Sequence, residues 1–314
     1  MTQPLRLPEF IKRPARAARD NPLINRVVSS AVRALVPRGR LREKIMWRLP
    51  RIGEAMAILP NGEAIRMKCE QFESVLNALH YNGWTAEEPE TLPLWFRLSS
   101  GASTIIDVGA HVGHFSIIAA LANRNAAIHA FEPLPKVIRL LRRNLMLNGL
   151  DVHVHELALS REQGEASFFA VEHQIPSTSS LSREFVSNFD DLPWGEIKVR
   201  VEKLDDVLPM PKTPVIMKID TETTEPDVLA GASKLVSGTK PIIIVEILPG
   251  HGVEERLYHE LELAEYAFTP YAMTKCGLVK HDRIIGNVEW RNYLLVPHDG
   301  PSIPALSAVA ELAK

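Results

Sequence analysis

A glycine-containing turn is the first feature of this chain that could bind a ligand. It connects a predicted strand to a predicted helix. It reads Asp107-Val-Gly-Ala-His-Val-Gly113. Small residues let the backbone approach a ligand closely, and a helix N-terminus offers it free N–H groups. Counting from Gly109, His111 and His114 occupy the later glycine positions of the dinucleotide fingerprint, and the P-loop pattern is absent. The turn therefore argues against NAD; its structural alternative is a tight turn above a buried Asp.

Glu132 is a candidate for binding a ribose at the end of the second strand. It lies 25 residues after Asp107. In nucleotide-binding α/β sheets, an acidic residue about 20 residues beyond the glycine turn hydrogen-bonds the ribose hydroxyls. A carboxylate suits this task because it accepts both hydroxyl protons. The structural alternative is a carboxylate that caps the next helix.

Acidic residues gather after the fourth strand of the predicted sheet, at Asp220, Glu222 and Glu225, and Glu246 closes the neighbouring strand. Such sheets bind ligands at this carboxyl edge. One hypothesis makes Glu222 or His251 a general base. A second places a divalent ion such as Mg²⁺ on Asp220, Glu222 and Glu246. A third makes Glu222 and Glu225 first-turn residues that stabilise the next helix dipole.

Strands and helices alternate from Thr104 onward and would position these residues. Strands are predicted at 104–108, 127–131, 152–155, 165–171, 196–201, 215–220, 241–247, 269–273 and 292–297. Helices are predicted at 112–121, 135–148, 227–236 and 253–265. Continuous apolar runs are typical of buried parallel strands. The fold prediction is α/β, a Rossmann-like, doubly wound, mostly parallel sheet of the seven-stranded type.

The part before this sheet has a different organisation. Alternating residues on both sides of Pro60-Asn61-Gly62 predict a β-hairpin over 52–69. Helices are predicted over 71–80 and 89–98. We therefore predict four segments, which are a basic arm (1–51), a hairpin-plus-helices cap (52–100), a ligand-binding core (101–298) and a C-terminal tail (299–314).

Charge is distributed unevenly along the chain. Residues 1–51 contain 13 basic and 3 acidic side chains, although the whole chain has a formal net charge of −2. One interpretation is that the arm docks on an anionic membrane surface or an acidic partner. The other is a solvated arm that folds onto the acidic remainder of the chain.

Composition excludes several classes of protein. The 314 residues, 46% hydrophobic and 24% charged, are enough to bury a core. Two cysteines, Cys69 and Cys276, without CxxC spacing, predict reduced thiols rather than a disulfide scaffold or zinc site. No apolar run approaches the ~18 residues of a membrane span, and no signal-peptide core is present. We expect a cytoplasmic protein, with contact to the inner face of a membrane as a further hypothesis.

The order of several short segments resembles the FkbM-like family of S-adenosylmethionine (SAM)-dependent methyltransferases. The glycine turn has their DxGxxxG pattern, and the matching segments are 107–113, 130–135, 144–148, 158–164, 179–181, 218–225 and 241–246. The chain departs from the family at His111, where Asn is usual, and at Thr223-Thr224, where Gly-Ala is usual. The first departure alters a cofactor contact, and the second adds bulk beside the expected reaction centre.

The resemblance implies O-methylation of a hydroxyl, typically on a sugar, glycan, glycolipid or polyketide-type natural product, with SAM as cofactor. The predicted cofactor-binding residues are Asp107, Gly109, Ala110, His111, Gly113, Glu132, Pro133, Leu157, Ala158 and Asp220. The predicted catalytic residues are Asp220, Glu222, Glu225 and His251. The predicted substrate-binding residues are Ser179, Ser180 and Glu246. The two serines lie in the stretch 177–181, which is either a lid over substrate or cofactor or an ordinary polar loop.

Two other functions remain as hypotheses. Thr223-Thr224 favours a SAM-fold binding or adaptor protein without catalysis. N-methylation of another substrate is the second, but amine methylation of bases often uses an Asn/Asp-Pro-Pro-aromatic element where this chain has Asp220-Thr-Glu-Thr. An acidic core also repels phosphates. We therefore expect a small-molecule or glycan substrate and no nucleic acid, while the sequence specifies no oligomeric state.

Overall fold

A computed structural model of the chain describes residues 21–69, 73–171, 179–187 and 193–300. These residues form two compact units, divided between Glu87 and Glu88. Parts of the predicted segments lie outside the described residues, among them 1–20 of the arm, 71–72 of the first cap helix, 177–178 of the lid or polar loop and 301–314 of the tail.

Eleven helices and fourteen strands are present in the described part of the chain. The helices are α1 Pro22–Leu35, α2 Arg40–Arg48, α3 Ser74–Asn82, α4 Leu92–Gly101, α5 His114–Ala122, α6 Pro135–Leu147, α7 Arg183–Ser187, α8 Leu204–Val207, α9 Glu225–Ala230, α10 Ser233–Thr239 and α11 Val253–Leu263. The strands are β1 Gly53–Ile58, β2 Ala64–Cys69, β3 Thr104–Val108, β4 Ala127–Phe131, β5 His153–His155, β6 Ala158–Leu159, β7 Gly164–Val171, β8 Ser179–Ser180, β9 Trp194–Glu202, β10 Val215–Ile219, β11 Ile242–Glu246, β12 Phe268–Thr274, β13 Gly277–Lys280 and β14 Asn292–Pro297. None of the described helices has the length and hydropathy that crossing a membrane requires.

An eight-stranded sheet forms the centre of the second unit, in the order β13-β12-β14-β11-β10-β3-β4-β5. The five strands from β11 to β5 run parallel, and β14, β12 and β13 pair antiparallel. β3 and β10 are buried at every position, as continuous apolar runs predict. The Rossmann-like α/β prediction is confirmed. The additional strand, β13, forms a short hairpin with β12 across Thr274 and Gly277.

A second, four-stranded sheet has the order β6-β9-β7-β8. β7 and β9 contain the strands predicted at 165–171 and 196–201, and they pair antiparallel along Gly164–Val171 of β7. The two-residue strand β8 continues this sheet through Phe169 and Ala170 of β7. This small sheet matters for the site because β8 carries Ser180.

The first unit contains the predicted hairpin, with β1 and β2 pairing antiparallel. Gly62 has φ +86°, the left-handed conformation that glycine tolerates best, and its N–H donates to the carbonyl of Leu59 at 2.9 Å. Helix α3 follows. Its N-cap, Glu73, accepts the N–H groups of Val75 at 2.9 Å and Leu76 at 2.6 Å.

The single helix predicted over 227–236 is wrong, since α9 and α10 occupy this stretch as two short helices. They separate at Gly231, where a Cβ would stand 2.1 Å from the carbonyl oxygen of Ser160. Asp205 caps the second helix by accepting the N–H groups of Lys234 at 2.9 Å and Leu235 at 2.8 Å. Ser160, which leaves no room for a side chain at residue 231, and Asp205, which caps α10, both lie far away in the sequence. The local pattern therefore does not reveal the break.

Candidate active site

The strand order of the large sheet brings the predicted site residues to one edge. β3 lies between β4 and β10, with Asp107 in register with Ala130 on one side and Lys218 on the other. The chain crosses from one half of the sheet to the other at this point, and ligands bind beyond the carboxyl ends of the strands at such a switch. The glycine turn, Glu132 and Asp220 each follow the end of one of these three strands.

The glycine turn is held close to the end of β10. Gly109 has φ +81°, and a Cβ there would stand 1.9 Å from the carbonyl oxygen of Asp220, so only glycine fits. The N–H groups of Gly109 and Ala110 donate to the carbonyl of Phe131 at 3.1 and 3.0 Å. Gly113, at φ +92°, is the N-cap of α5. The predicted helix start at 112 therefore moves to 114.

Asp107 supports this turn from inside the molecule. Its side chain is fully buried, and its Oδ2 accepts the hydroxyl of Ser116 in α5 at 2.6 Å. Burial raises the pKa of the Asp107 carboxyl, although the nearby charge of Lys218 and the bond from Ser116 work against this shift. Asp107 is predicted to bind the cofactor. Because its side chain is fully buried and bonded to Ser116, it would support a cofactor site from below by fixing β3 to α5.

Glu132 links the glycine turn to the end of β4. One of its oxygens accepts the N–H of His111 at 3.1 Å, and the other accepts the N–H of Leu134 at 2.9 Å. Burial raises the pKa of Glu132 to about 7, against the effect of these two bonds. Each oxygen keeps a lone pair for a further donor such as a ribose hydroxyl.

A buried lysine orders the acidic edge of the site. The Nζ of Lys218 lies 2.6 Å from Oδ2 of Asp220 and 4.3 Å from the centre of the Phe115 ring. Burial disfavours the charge of Lys218, but Asp220, Glu88 and Asp107 outweigh it and raise its pKa. Lys218 is not among the predicted site residues. A single lysine inside the apolar strand Val215-Ile-Met-Lys-Ile219 is the signal that could have indicated a role.

Asp220, Glu222 and Glu246 form a carboxylate trio, with oxygens that lie within 4.8 Å of one another. Lys218 overcomes the effect of burial and lowers the pKa of Asp220. Burial and the charge of Asp220 raise the pKa of Glu222 to about 8 and that of Glu246 well above its usual range. At neutral pH Asp220 is therefore charged and Glu222 mostly protonated. A divalent ion would have to displace the proton of Glu222.

Glu222 lies in a turn with unusual backbone geometry. Glu222 and Thr223 both have positive φ, at +57° and +82°. Glu225 holds this turn, because its buried Oε1 accepts the N–H of Thr221 at 3.0 Å and that of Thr223 at 3.2 Å. The carboxyl of Glu225, predicted to be catalytic, lies outside the trio and positions the turn. Burial raises its pKa to about 7.

Ser180 of β8 holds the same turn from the other side. Its hydroxyl, fully buried, lies 2.7 Å from the carbonyl oxygen of Glu222 and 3.2 Å from that of Thr221. It also accepts the N–H of Ser182 at 3.0 Å. The sequence predicts Ser180 to bind substrate, whereas these contacts occupy it in positioning Glu222. Ser179, beside it, is half-buried.

The remaining predicted residues surround this centre. Leu157 and Ala158 are buried after β5, and Pro133 is half-buried after Glu132. The ring of His251 packs edge-on against Phe185 at 5.8 Å, and no contact joins it to the carboxylate trio among the described residues. Arg291, just before β14, is exposed, and its charge works to lower the pKa of Glu222. Arg291 is not among the predicted site residues, because it lies in a loop without a recognisable sequence pattern.

Comparison with known proteins identifies the class to which this fold and site belong. The sequence profile of the methyltransferase FkbM domain matches residues 107–279. The chain belongs to this family of methyltransferases. The 31-O-demethyl-FK506 methyltransferase FkbM of Streptomyces tacrolimicus is 28% identical over 151 residues, which cover 40% of this chain and 58% of that protein.

Solved structures similar to this chain include the methyltransferase FkbM from Methylobacillus flagellatus KT, with a TM-score of 0.38 and 16% identity over 70% of this chain and 53% of that one. A second is the Pyrococcus abyssi tRNA (uracil-54, C5)-methyltransferase in complex with S-adenosyl-L-homocysteine. It has a TM-score of 0.39 and 13% identity over 79% of this chain and 44% of that one.

Proposed function

We propose that this protein is a SAM-dependent methyltransferase that methylates a hydroxyl of a carbohydrate, glycan, glycolipid or related natural product. The observation that carries the proposal is the close approach of the glycine turn to Asp220. The turn, which is bonded to Glu132, lies so close to Asp220 at Gly109 that no side chain fits between them. A cofactor bound by the glycine turn and Glu132 would present its reactive end to the carboxylate trio.

The residues present fit the adenosyl part of SAM. Gly109 and Ala110 add no bulky side chain to the turn, α5 begins directly after it, and Glu132 retains acceptor capacity for a ribose diol. Leu157, buried after β5, would contribute to an adenine site. When bound, SAM supplies a methyl group on a positively charged sulfur. Asp220, kept ionised by Lys218, would attract that charge.

Glu222 is the candidate general base. A hydroxyl is a weak nucleophile at neutral pH, and a positioned base with a pKa near the working pH removes its proton most effectively. Burial and Asp220 raise the pKa of Glu222 to about 8, and Glu225 and Ser180 fix the turn that carries it. The name of the Streptomyces tacrolimicus relative denotes transfer to an oxygen, which supports a hydroxyl acceptor. The carbohydrate class is part of our proposal.

Cofactor binding is the first test. Calorimetry should detect binding of both SAM and S-adenosylhomocysteine, and Glu132→Gln should weaken it about tenfold or more, because a charge-assisted hydrogen bond to the ribose is lost. Glu262→Gln, on the exposed side of α11, is the matched control and should bind normally. A folded protein that binds neither compound would end the proposal.

The base assignment is tested with Glu222→Gln at saturating cofactor. Turnover should fall by about 10² to 10⁴-fold, while the affinity for S-adenosylhomocysteine stays unchanged. In the unaltered protein, turnover should rise with pH through about 8 as Glu222 loses its proton. Unchanged turnover in the variant would exclude Glu222 as the base. Loss of turnover in EDTA, restored by Mg²⁺, would favour the divalent-ion alternative on Asp220, Glu222 and Glu246.

The acceptor is identified by incubation with isotopically labelled SAM and separate panels of glycans, glycolipids and polyketide-type products. A mass increase of one methyl group, on oxygen, is the expected result. Cofactor binding without transfer to any panel would favour the adaptor hypothesis, and a methylated amine would favour N-methylation.

A further inference from the structure

Helix α1 exposes its apolar side. Leu23, Val27 and Leu35 have 76%, 69% and 80% of their surface exposed, and Ile24 is exposed as well. At 100° per residue these four side chains fall within an arc of about 120°, and we call them the α1 apolar face. In a helix of a globular unit such a stripe ordinarily faces the core.

Polar contacts on the opposite side fix α1 in this orientation. Asn25 and Ser29 are fully buried. Asn25 donates its Nδ2 to the carbonyl of Pro50 at 2.8 Å, and its Oδ1 accepts the N–H of Ile52 at 3.1 Å. Ser29 accepts a bond from the guanidinium of Arg51 at 3.0 Å. Turning the α1 apolar face inward would break these bonds, so its exposure is a built feature of the first unit.

Other apolar side chains of the first unit are also exposed. Leu41 and Trp47 of α2 are exposed, as are Met56 and Ile58 of β1. Along β1 they alternate with buried Ala55 and Ala57, and Met56 pairs with exposed Arg66 of β2, so the exposed side of the hairpin combines apolar and charged residues. A hydrogen bond of 3.1 Å from Arg33 to the carbonyl of Met56 connects the C-terminal part of α1 to this strand.

Positive charge accompanies these apolar residues. The exposed basic side chains of residues 21–51 are Arg26, Arg33, Arg38, Arg40, Lys44 and Arg48, against one acidic side chain, Glu43. Arg42 and Arg51 are buried and donate to backbone carbonyls. Arg26 and Arg33 are two turns apart and therefore line one side of α1.

We propose that the α1 apolar face, with the basic residues around it, is a docking surface for an anionic phospholipid bilayer. An amphipathic helix with apolar residues on one side and Arg or Lys beside them lies in the plane of a membrane interface. Each basic residue near an anionic surface adds attraction. Trp47 is of the residue type that favours the interface. The net positive charge is complementary to lipid phosphates, and this proposal is independent of the proposed methyl transfer.

The test is co-sedimentation of the full-length protein with vesicles. Binding to vesicles of phosphatidylcholine with phosphatidylglycerol should exceed binding to phosphatidylcholine alone and should fall with salt. Leu23→Ser combined with Val27→Ser should weaken binding by about tenfold or more. Arg40→Gln combined with Lys44→Gln should weaken it by about fivefold for each charge removed. Met146→Ser is the matched control, because Met146 is 78% exposed in the second unit.

Circular dichroism of each variant should match that of the unaltered protein, since the changed side chains make no buried contact. Absence of binding to anionic vesicles, or binding that survives Leu23→Ser with Val27→Ser, would overturn the proposal. A concentration-dependent dimer that those two changes dissolve, without vesicle binding, would overturn it too and assign the face to a second copy of the chain.

Discussion

Thr223 combines a β-branched side chain with a left-handed backbone, at φ +82°. This conformation costs an ordinary residue about 1–2 kcal/mol and is a genuine outlier for a β-branched one. Family members usually have glycine at this position, which adopts it freely. The bonds from Thr221 and Thr223 to Glu225 hold the turn despite this cost.

Thr223→Gly should therefore stabilise the protein. We expect the free energy of unfolding to rise by up to about 1 kcal/mol, because the strain released exceeds the entropy that glycine costs. Chemical denaturation measures this difference. Thr224→Gly is the matched control, since Thr224 has φ −110° and bonds to the carbonyl of Thr221. It should destabilise by about 1 kcal/mol, because the hydrogen bond of the Thr224 hydroxyl is lost and glycine has more freedom in the unfolded chain. Equal losses in both variants would show that burial of the Thr223 side chain outweighs its strain.

Individual site residues differ in how far the sequence predicts them. Glu132 and Asp220 follow apolar strands directly, so the strand pattern alone brings them to one edge of the sheet. Glu225 lies only three residues after Glu222, yet it faces into the turn. Its different role depends on the positive φ of residues 222 and 223, which no local propensity indicates. Lys218 and Asp220 are two residues apart along an extended strand, so alternation places them on the same side. The burial of Lys218 among Asp107 and Glu88 depends on distant parts of the chain.

At the scale of elements, β8 contributes more to the site than its two residues suggest. It joins the small sheet and brings the hydroxyl of Ser180 to the carbonyl of Glu222 at 2.7 Å. Through this contact the small sheet positions a residue that follows a strand of the large sheet. The sequence predicts a lid or a polar loop here rather than a strand, because a two-residue strand has no period to detect.

Ser180→Ala should loosen the Glu222 turn. Removing the donor of this partly buried carbonyl should lower the free energy of unfolding by about 1 kcal/mol. Turnover should fall by more than the affinity for S-adenosylhomocysteine, because the change affects the base rather than the glycine turn. Denaturation, single-turnover kinetics and calorimetry separate these effects. Ser179→Ala, on the half-buried neighbour, should change stability by less than about 0.5 kcal/mol. Normal turnover in Ser180→Ala would contradict the positioning role.

Considered as a whole, the molecule buries carboxyls and imidazoles that shift its stability with pH in opposite directions. Burial raises the pKa of Glu73, Glu132 and Glu225 to about 7 from 4.5. Their contribution to stability is complete below pH 4.5 and is lost as pH rises through 7. Burial lowers the pKa of His80 and His129 from 6.5 to about 4. Their contribution is present above 6.5 and is lost as pH falls toward 4.

Between pH 6.5 and 8 the two histidines lose only the residual charge that they carry in the unfolded chain, which raises stability by about 1 kcal/mol at most. The carboxyls decide the change, because Glu222, with a pKa of about 8, titrates in this range together with the three at about 7. The free energy of unfolding should fall across this range by about 3 kcal/mol, which denaturation at several pH values measures. Glu225→Gln should reduce the fall by about a quarter, since Oε1 keeps its bonds to Thr221 and Thr223 while the titrating proton is removed. Glu262→Gln, at an exposed site, should leave the fall unchanged. Stability that rises from pH 6.5 to 8 would mean that these carboxyls are charged in the folded protein.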